Sequence, residues 1–208
     1  MGGKTVGFYW TLPVPWAGFT ALPEKIEDAA KVSRTIRYQM ELIRSYAVQN
    51  KLTLIREEAF LEVEPDRGTP YVVGVLKKLE SFCREHRAIL LYVDFSQAQG
   101  WRSHAPMTDW SKRAGIETAA IWPEEVMIDG QSFDPNQHFH DWRERQYKWS
   151  DGKAERAEKA LSRIAALRSR KMSYERIAED LNEQELRSAT GKPWTGEMVR
   201  KLRASTKD

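Results

Sequence analysis

The chain has 208 residues, 41% of them hydrophobic and 30% charged, with a net charge of +3. That length holds one sizeable domain and a small one, and that balance describes a folded chain rather than a disordered one. The lone cysteine, Cys83, excludes an internal disulfide and a cysteine-rich zinc site, and no apolar run approaches the ~20 residues of a membrane-spanning helix.

The N-terminal MGGKTVGFYW has neither the basic segment nor the apolar core of a signal peptide, so a reducing cytoplasm is the expected compartment. Within it, KTVGFYW (4–10) reads as a buried strand. TLPVPWAGFTALPEK follows, with three prolines and no helical period, and reads as a loop that carries Trp16 and Phe19. From Asp28 the pattern turns helical, with Ile36, Met40, Ile43 and Ala47 on one face. LTLIREEAF (52–60) reads as a second strand. Pro70 suits the first turn of a helix whose apolar stripe is Val72, Val75, Leu76, Leu79 and Phe82. AILLYVD (88–94) is the clearest buried strand, Met107 to Ala114 a short helix, and IETAAIW (116–122) a fourth strand. Strands alternating with helices imply a parallel α/β domain.

After Pro123 the chain becomes polar and turn-rich, then helical from about Pro135. In FDPNQHFHDW, Asp134, His138 and His140 invite a metal reading. Histidines two apart suit a strand better than a helix, and no further ligand stands near, so no metal site is expected. A helix is expected from Asp151 to Arg170, with Ala157, Leu161, Ile164 and Leu167 on one face.

Residues 150–208 carry 14 Lys/Arg against 10 Asp/Glu, whereas residues 1–149 carry 19 against 20. The basic end points to a polyanion partner. There, Ser173 is a helix N-cap, and Tyr174, Ile177, Ala178 and Leu181 form an apolar face stopping near Asn182. A short middle helix is expected around Gln184 to Arg187. Thr195 caps the last helix, with Trp194 placed to staple onto Val199. Met198, Val199 and Leu202 then face inward, leaving Gly196, Arg200, Lys201 and Arg203 outward. With Thr195 and the nearby Lys192, these are the expected DNA-binding residues.

The run SYERIAEDLNEQELRSATGKPWTGEMVRKLR resembles the DNA-binding segment of serine recombinases of the resolvase/invertase group, with Ser-Tyr, Ile-Ala, Leu-Asn and Gly-Lys-Pro-Trp-Thr at similar spacing. KTVGFYW, IRYQMELIRSYAVQNKLTLI (including Gln39) and AILLYVD resemble the elements of that family's catalytic domain. The resemblance implies covalent strand exchange by a serine nucleophile at the end of the first strand, with arginines steadying the phosphate. The motif positions disagree with that chemistry. Where the family has arginine and serine this chain has Thr11 and Pro13. After the third strand Asp94 remains, but Phe95 and Ala98 stand where arginines are expected. Thr11, Ser33 or Ser96 as a replacement nucleophile, with Arg34, Arg37 or Arg102 supplying charge, is the alternative.

The resemblance thus implies an α/β fold: a resolvase-like parallel-sheet domain over 1–133, connecting and dimerisation helices over 134–170, and a small helix-turn-helix-like DNA-binding domain over 171–208. The expected function is that of a catalytically degenerate DNA-binding regulator, architectural or accessory factor. It would act on double-stranded DNA as a homodimer or beside an intact recombinase, in a bacterial or phage nucleoid setting, with no cofactor, metal or membrane. An active recombinase with displaced residues and a protein-interaction module without DNA binding are the competing readings; the latter would use the Trp16 loop as its contact surface.

Overall fold

The computed structural model describes residues 2–63, 68–98 and 104–204, without the side chains of Gln97, Arg203 and Ala204. The chain divides into two compact units. The first comprises Met1–Pro13 and Ala21–Arg143, the second Val14–Thr20 and Glu144–Asp208. The fold is α/β, with a four-stranded parallel sheet and, among the described residues, eight α-helices.

In the first unit the strands are β1 (Lys4–Thr11), β2 (Thr53–Leu61), β3 (Ala88–Val93) and β4 (Thr118–Ile121), in the order β2-β1-β3-β4. The four strands read from the sequence are these four. After Lys4, β1 is buried at every residue, as its unbroken apolar run requires of a central parallel strand. Four helices connect the strands: α1 (Ile26–Val32), α2 (Arg34–Gln49), α3 (Tyr71–His86) and α4 (Ala105–Ser111). Parallel pairing brings the C-terminal ends of β1 and β3 side by side, the edge where α/β sheets place their ligands.

Three local readings are corrected. The helix expected from Asp28 is two helices, because Ser33 adopts an extended backbone and its hydroxyl accepts the Ile36 N–H, starting α2 afresh. The apolar stripe of α3 runs Val72, Leu76, Leu79, Cys83; Phe82 lies half-buried, stacked on His86 with ring centroids 4.0 Å apart. The stretch after Pro123 contains an antiparallel hairpin, β5 (Val126–Ile128) and β6 (Gln131–Phe133), turned by Asp129-Gly130 with both φ angles positive.

Helix α5 (Pro135–Asp151) starts where expected, and the unit boundary falls within it. Its Phe139 and Trp142 are buried. In the second unit, α6 (Lys153–Ser169), α7 (Tyr174–Glu183) and α8 (Gly196–Ala204) share one core. Ala160, Ile164 and Leu167 of α6 meet Ile177, Ala178 and Leu181 of α7, and Trp194 and Val199 close the cluster. No helix among the described residues is long and apolar enough to cross a membrane.

Candidate nucleic-acid interface

Each helix of the second unit is fixed by a short-range device. The Ser173 hydroxyl accepts the Arg176 N–H at 3.3 Å and starts α7. Arg163 donates from Nε and Nη2 to the two Asp180 carboxylate oxygens at 2.7 and 2.6 Å, tying α6 to α7. That hydrogen bonding holds the Asp180 carboxyl below its usual range. Asn182 stands at the end of α7, one residue before its last, as expected. Its amide donates to Trp194 O at 2.9 Å and accepts Trp194 N–H at 2.7 Å, while the Trp194 indole donates to Leu186 O at 2.6 Å. The residue before the α8 cap is thereby hung from α7 and from the connection between the two helices.

No middle helix forms at 184–187, because Glu185 takes a left-handed backbone (φ 55°) and ends the helical run. Thr195 caps α8, its hydroxyl accepting the Met198 N–H at 3.3 Å. Val199 is fully buried in the cluster with Trp194, and Met198 and Leu202 pack against it. Gly196 is not outward-facing. It is half-buried, and a Cβ there would stand 2.8 Å from a Glu175 carboxylate oxygen and 3.1 Å from the Glu175 nitrogen, so glycine lets α8 approach the start of α7.

Thr195, Lys192, Arg200 and Lys201 are exposed; the Arg203 side chain lies outside the described residues. Arg200 and Lys201 are not free. Arg200 forks onto Glu197 at 2.8 and 2.6 Å, and Lys201 stands 3.5 Å from the same carboxylate. The Arg200 hydrogen bonds pull the Glu197 carboxyl down to about 2. Glu197 was not among the residues singled out from the sequence, although its spacing of three and four from the two cations was visible there.

In the first unit, the positions where the resemblance implies catalysis are packed. Thr11 is 4% and Ser33 6% exposed, and the Ser33 hydroxyl donates to Thr11 Oγ1 at 3.3 Å. Pro13 is buried. Phe95 is 2% exposed and meets Trp10 and Phe139 edge-on, at 5.8 and 4.9 Å between ring centroids. Ala98 is likewise buried. Asp94 accepts the Ser96 N–H at 2.9 Å and so caps the turn that carries Phe95. Gln39 donates to Trp10 O at 2.7 Å and accepts Trp10 N–H at 3.1 Å, satisfying β1 where it has run past its pairing with β3.

The candidate replacement cations have other partners. Arg37 pairs with Glu41 and Asp129 at 3.1 Å each, and Arg34 lies 5.5 Å from the Phe133 ring centre. Arg102 is outside the described residues. Asp134 caps α5 by accepting the Asn136 N–H at 2.8 Å, and His138 Nε2 stands 3.1 Å from Thr35 Oγ1. One buried network went unread in the sequence: Glu62 accepts from the Thr69 N–H and hydroxyl at 3.2 and 2.7 Å and pairs with His104 Nε2. His104 Nδ1 accepts the Met107 N–H at 3.3 Å, which assigns the ring proton to Nε2.

With this geometry in place, residues 155–206 match the family model described as Recombinase. The C-terminal region is a recombinase-family segment. The match covers the three-helix cluster from α6 through α8, so the Arg163–Asp180 fork, the Asn182 clasp and the capped, basic α8 are all features of that recombinase segment. In comparisons with curated proteins and with solved structures, nothing matches the chain.

Proposed function

We infer that the chain is a DNA-binding protein in which α7 and α8 work as a helix-turn-helix-like pair. Helix α8 presents Arg200 and Lys201 to duplex DNA, and the α/β unit serves assembly rather than strand exchange. The observation that carries the reading is the Asn182–Trp194 clasp, which fixes a basic helix with its apolar side buried and its charged side open. Thr195 and Lys192, exposed at and before the start of α8, extend the same surface toward a phosphate. The loss of strand exchange is supported by the packing of Thr11 and Ser33 against each other and by Phe95, an arginine position turned over to the aromatic core. A nucleophile must reach phosphorus with its base and charge stabilisers in place, and Thr11 and Ser33 are both buried residues. Helices α5 and α6 are the proposed dimerisation elements, with a second copy or an intact recombinase as the partner in a DNA-associated setting.

The test is fluorescence anisotropy of a 30-base-pair duplex with the full chain across a salt series. Binding is expected to fall steeply with salt. Arg200→Ala with Lys201→Ala should weaken it and flatten the logarithmic salt slope by about 1 per lost phosphate contact. The same mixtures on a denaturing gel should show no covalent protein–DNA adduct. Unchanged duplex binding by the double variant overturns the assignment of α8, and an adduct overturns the loss of chemistry.

A further inference from the structure

The segment Val14–Thr20 belongs to the second unit although it follows β1 in the chain. It is a closed turn. Val14 N–H donates to Phe19 O at 2.8 Å, Phe19 N–H returns to Val14 O at 3.1 Å, and a 3-10 turn spans Pro15–Ala17. Gly18 ends it with φ 69°. A Cβ on Gly191, whose φ is 78°, would lie 2.4 Å from Pro15 Cα, and one on Gly18 would lie 3.4 Å from the Arg187 guanidinium carbon. The turn is therefore seated on the connection between α7 and α8.

Beside it is a cavity of about 340 Å³, whose lining includes Trp16, Trp149, Arg156, Glu185 and Arg187. Its size falls within the roughly 300–1,000 Å³ of small-molecule sites. Arg156 stacks on Trp149 with its guanidinium carbon 3.5 Å from the ring centre, and a side chain at Gly152 would stand 2.8 Å from its Nη1. Its Nε and Nη2 are closed off from solvent and have no hydrogen-bond partner among the described residues. The neighbouring acid is spent elsewhere: Glu155 pairs with Lys159 at 2.6 Å. Burial lowers the Arg156 pKa from its ordinary value, and the charge of Glu155 only partly offsets it. Arg187 has no ion pair among the described residues. The lining thus holds two arginines and one acid, Glu185.

Enclosed guanidinium N–H groups without an acceptor are costly until one arrives. Guanidinium forks match phosphate oxygens, and indole faces match a planar base. We propose that this cavity is a nucleoside-phosphate site. The phosphate oxygens accept from the Arg156 and Arg187 guanidiniums, the Arg156 side chain turning off Trp149 so that its enclosed N–H groups reach the cavity, and the base lies against the indoles of Trp16 and Trp149. The ligand chemistry is the same for a free nucleotide and for an unpaired nucleotide within a DNA strand. The site does not depend on α8 binding duplex.

The test is titration calorimetry of the full chain with deoxyadenosine monophosphate, deoxyadenosine, inorganic phosphate and an oligo-deoxyadenylate of eight nucleotides. Saturable binding of the monophosphate is expected, with deoxyadenosine and inorganic phosphate each at least tenfold weaker. Arg156→Gln and Arg187→Gln should each weaken the monophosphate at least tenfold with unchanged circular dichroism. Should Arg156→Gln fail to fold, Arg156→Lys keeps the charge and loses the fork, and the same weakening is expected. The Arg200→Ala, Lys201→Ala chain, deficient in duplex binding, should bind the monophosphate unchanged, which separates this site from α8. Tighter binding of the oligonucleotide than of the monophosphate identifies a strand nucleotide as the source; equal or weaker binding identifies the free nucleotide. No saturable monophosphate binding at millimolar concentration, or equal binding by the Arg156→Gln, Arg187→Gln double variant, overturns the proposal.

Discussion

Glu197 sets how much of the α8 charge is available to a polyanion. It holds Arg200 in a two-pronged contact and sits close to Lys201, so a phosphate must compete with a carboxylate already in place. Glu197→Gln should therefore tighten duplex binding several-fold and steepen its salt dependence, read by anisotropy. The sign of the pH effect follows from the depressed carboxyl. The pair's contribution to stability is present above the ordinary value of 4.5 and is lost as pH falls toward about 2. Across pH 5–8 this group should produce no step in DNA binding. Cys83 shows the opposite shift. Its thiol is 1% exposed, and burial pushes it up to about 11 from an ordinary 9.0. The neutral thiol is the folded form, so its contribution is present below pH 9.0 and is lost as pH rises through about 11. A disulfide reagent at pH 8 should label Cys83 only in denaturant; rapid labelling of the native chain would contradict the burial.

At the scale of elements, the second unit depends on the clasp between α7 and the residue preceding the α8 cap. Asn182→Ala removes two hydrogen bonds to the backbone of one residue, Trp194, worth about 2 kcal/mol together at about 1 each. A lower Tm and weaker duplex binding should appear together. A Tm change with full DNA binding would mean α8 keeps its place without the clasp. The elements with strong periodicity were legible in the sequence: β3 as a continuous apolar run, α7 from its Ile177-Ala178-Leu181 face, and the Thr195 cap of α8. The missed ones turn on single residues. Ser33 interrupts a pattern that is helical on both sides of it. The Asp129-Gly130 turn was visible as a dipeptide, but its flanking strands are three residues each and too short to show alternation. Glu185 stops a helix in a left-handed conformation that its side chain does not advertise. The candidate interface was legible in composition and cap. It was not legible in charge balance, because Glu197 acts through a side-chain pairing, nor at Gly196, whose smallness serves the approach of two helices rather than the approach of DNA.

Over the whole molecule, the connectivity between the two units is unusual for so short a chain. The polypeptide leaves the first unit after Pro13, contributes Val14–Thr20 to the second, returns at Ala21, and crosses again after Arg143. Gly191→Ala tests how strongly the early segment is held. Its left-handed backbone and the approach to Pro15 both oppose a side chain. Faster proteolytic cleavage within 14–20 is expected, with the sheet unit unaffected; an unchanged cleavage rate would show that the segment is held by other contacts. The seated turn also imposes an order on biosynthesis. During synthesis residues 14–20 leave the ribosome long before their partners at 187–191, so they wait for them while the sheet forms. Closing that loop late, across most of the chain, makes completion of the second unit the slow and non-local step. A fragment beginning at Glu144 would lack a piece of its own fold.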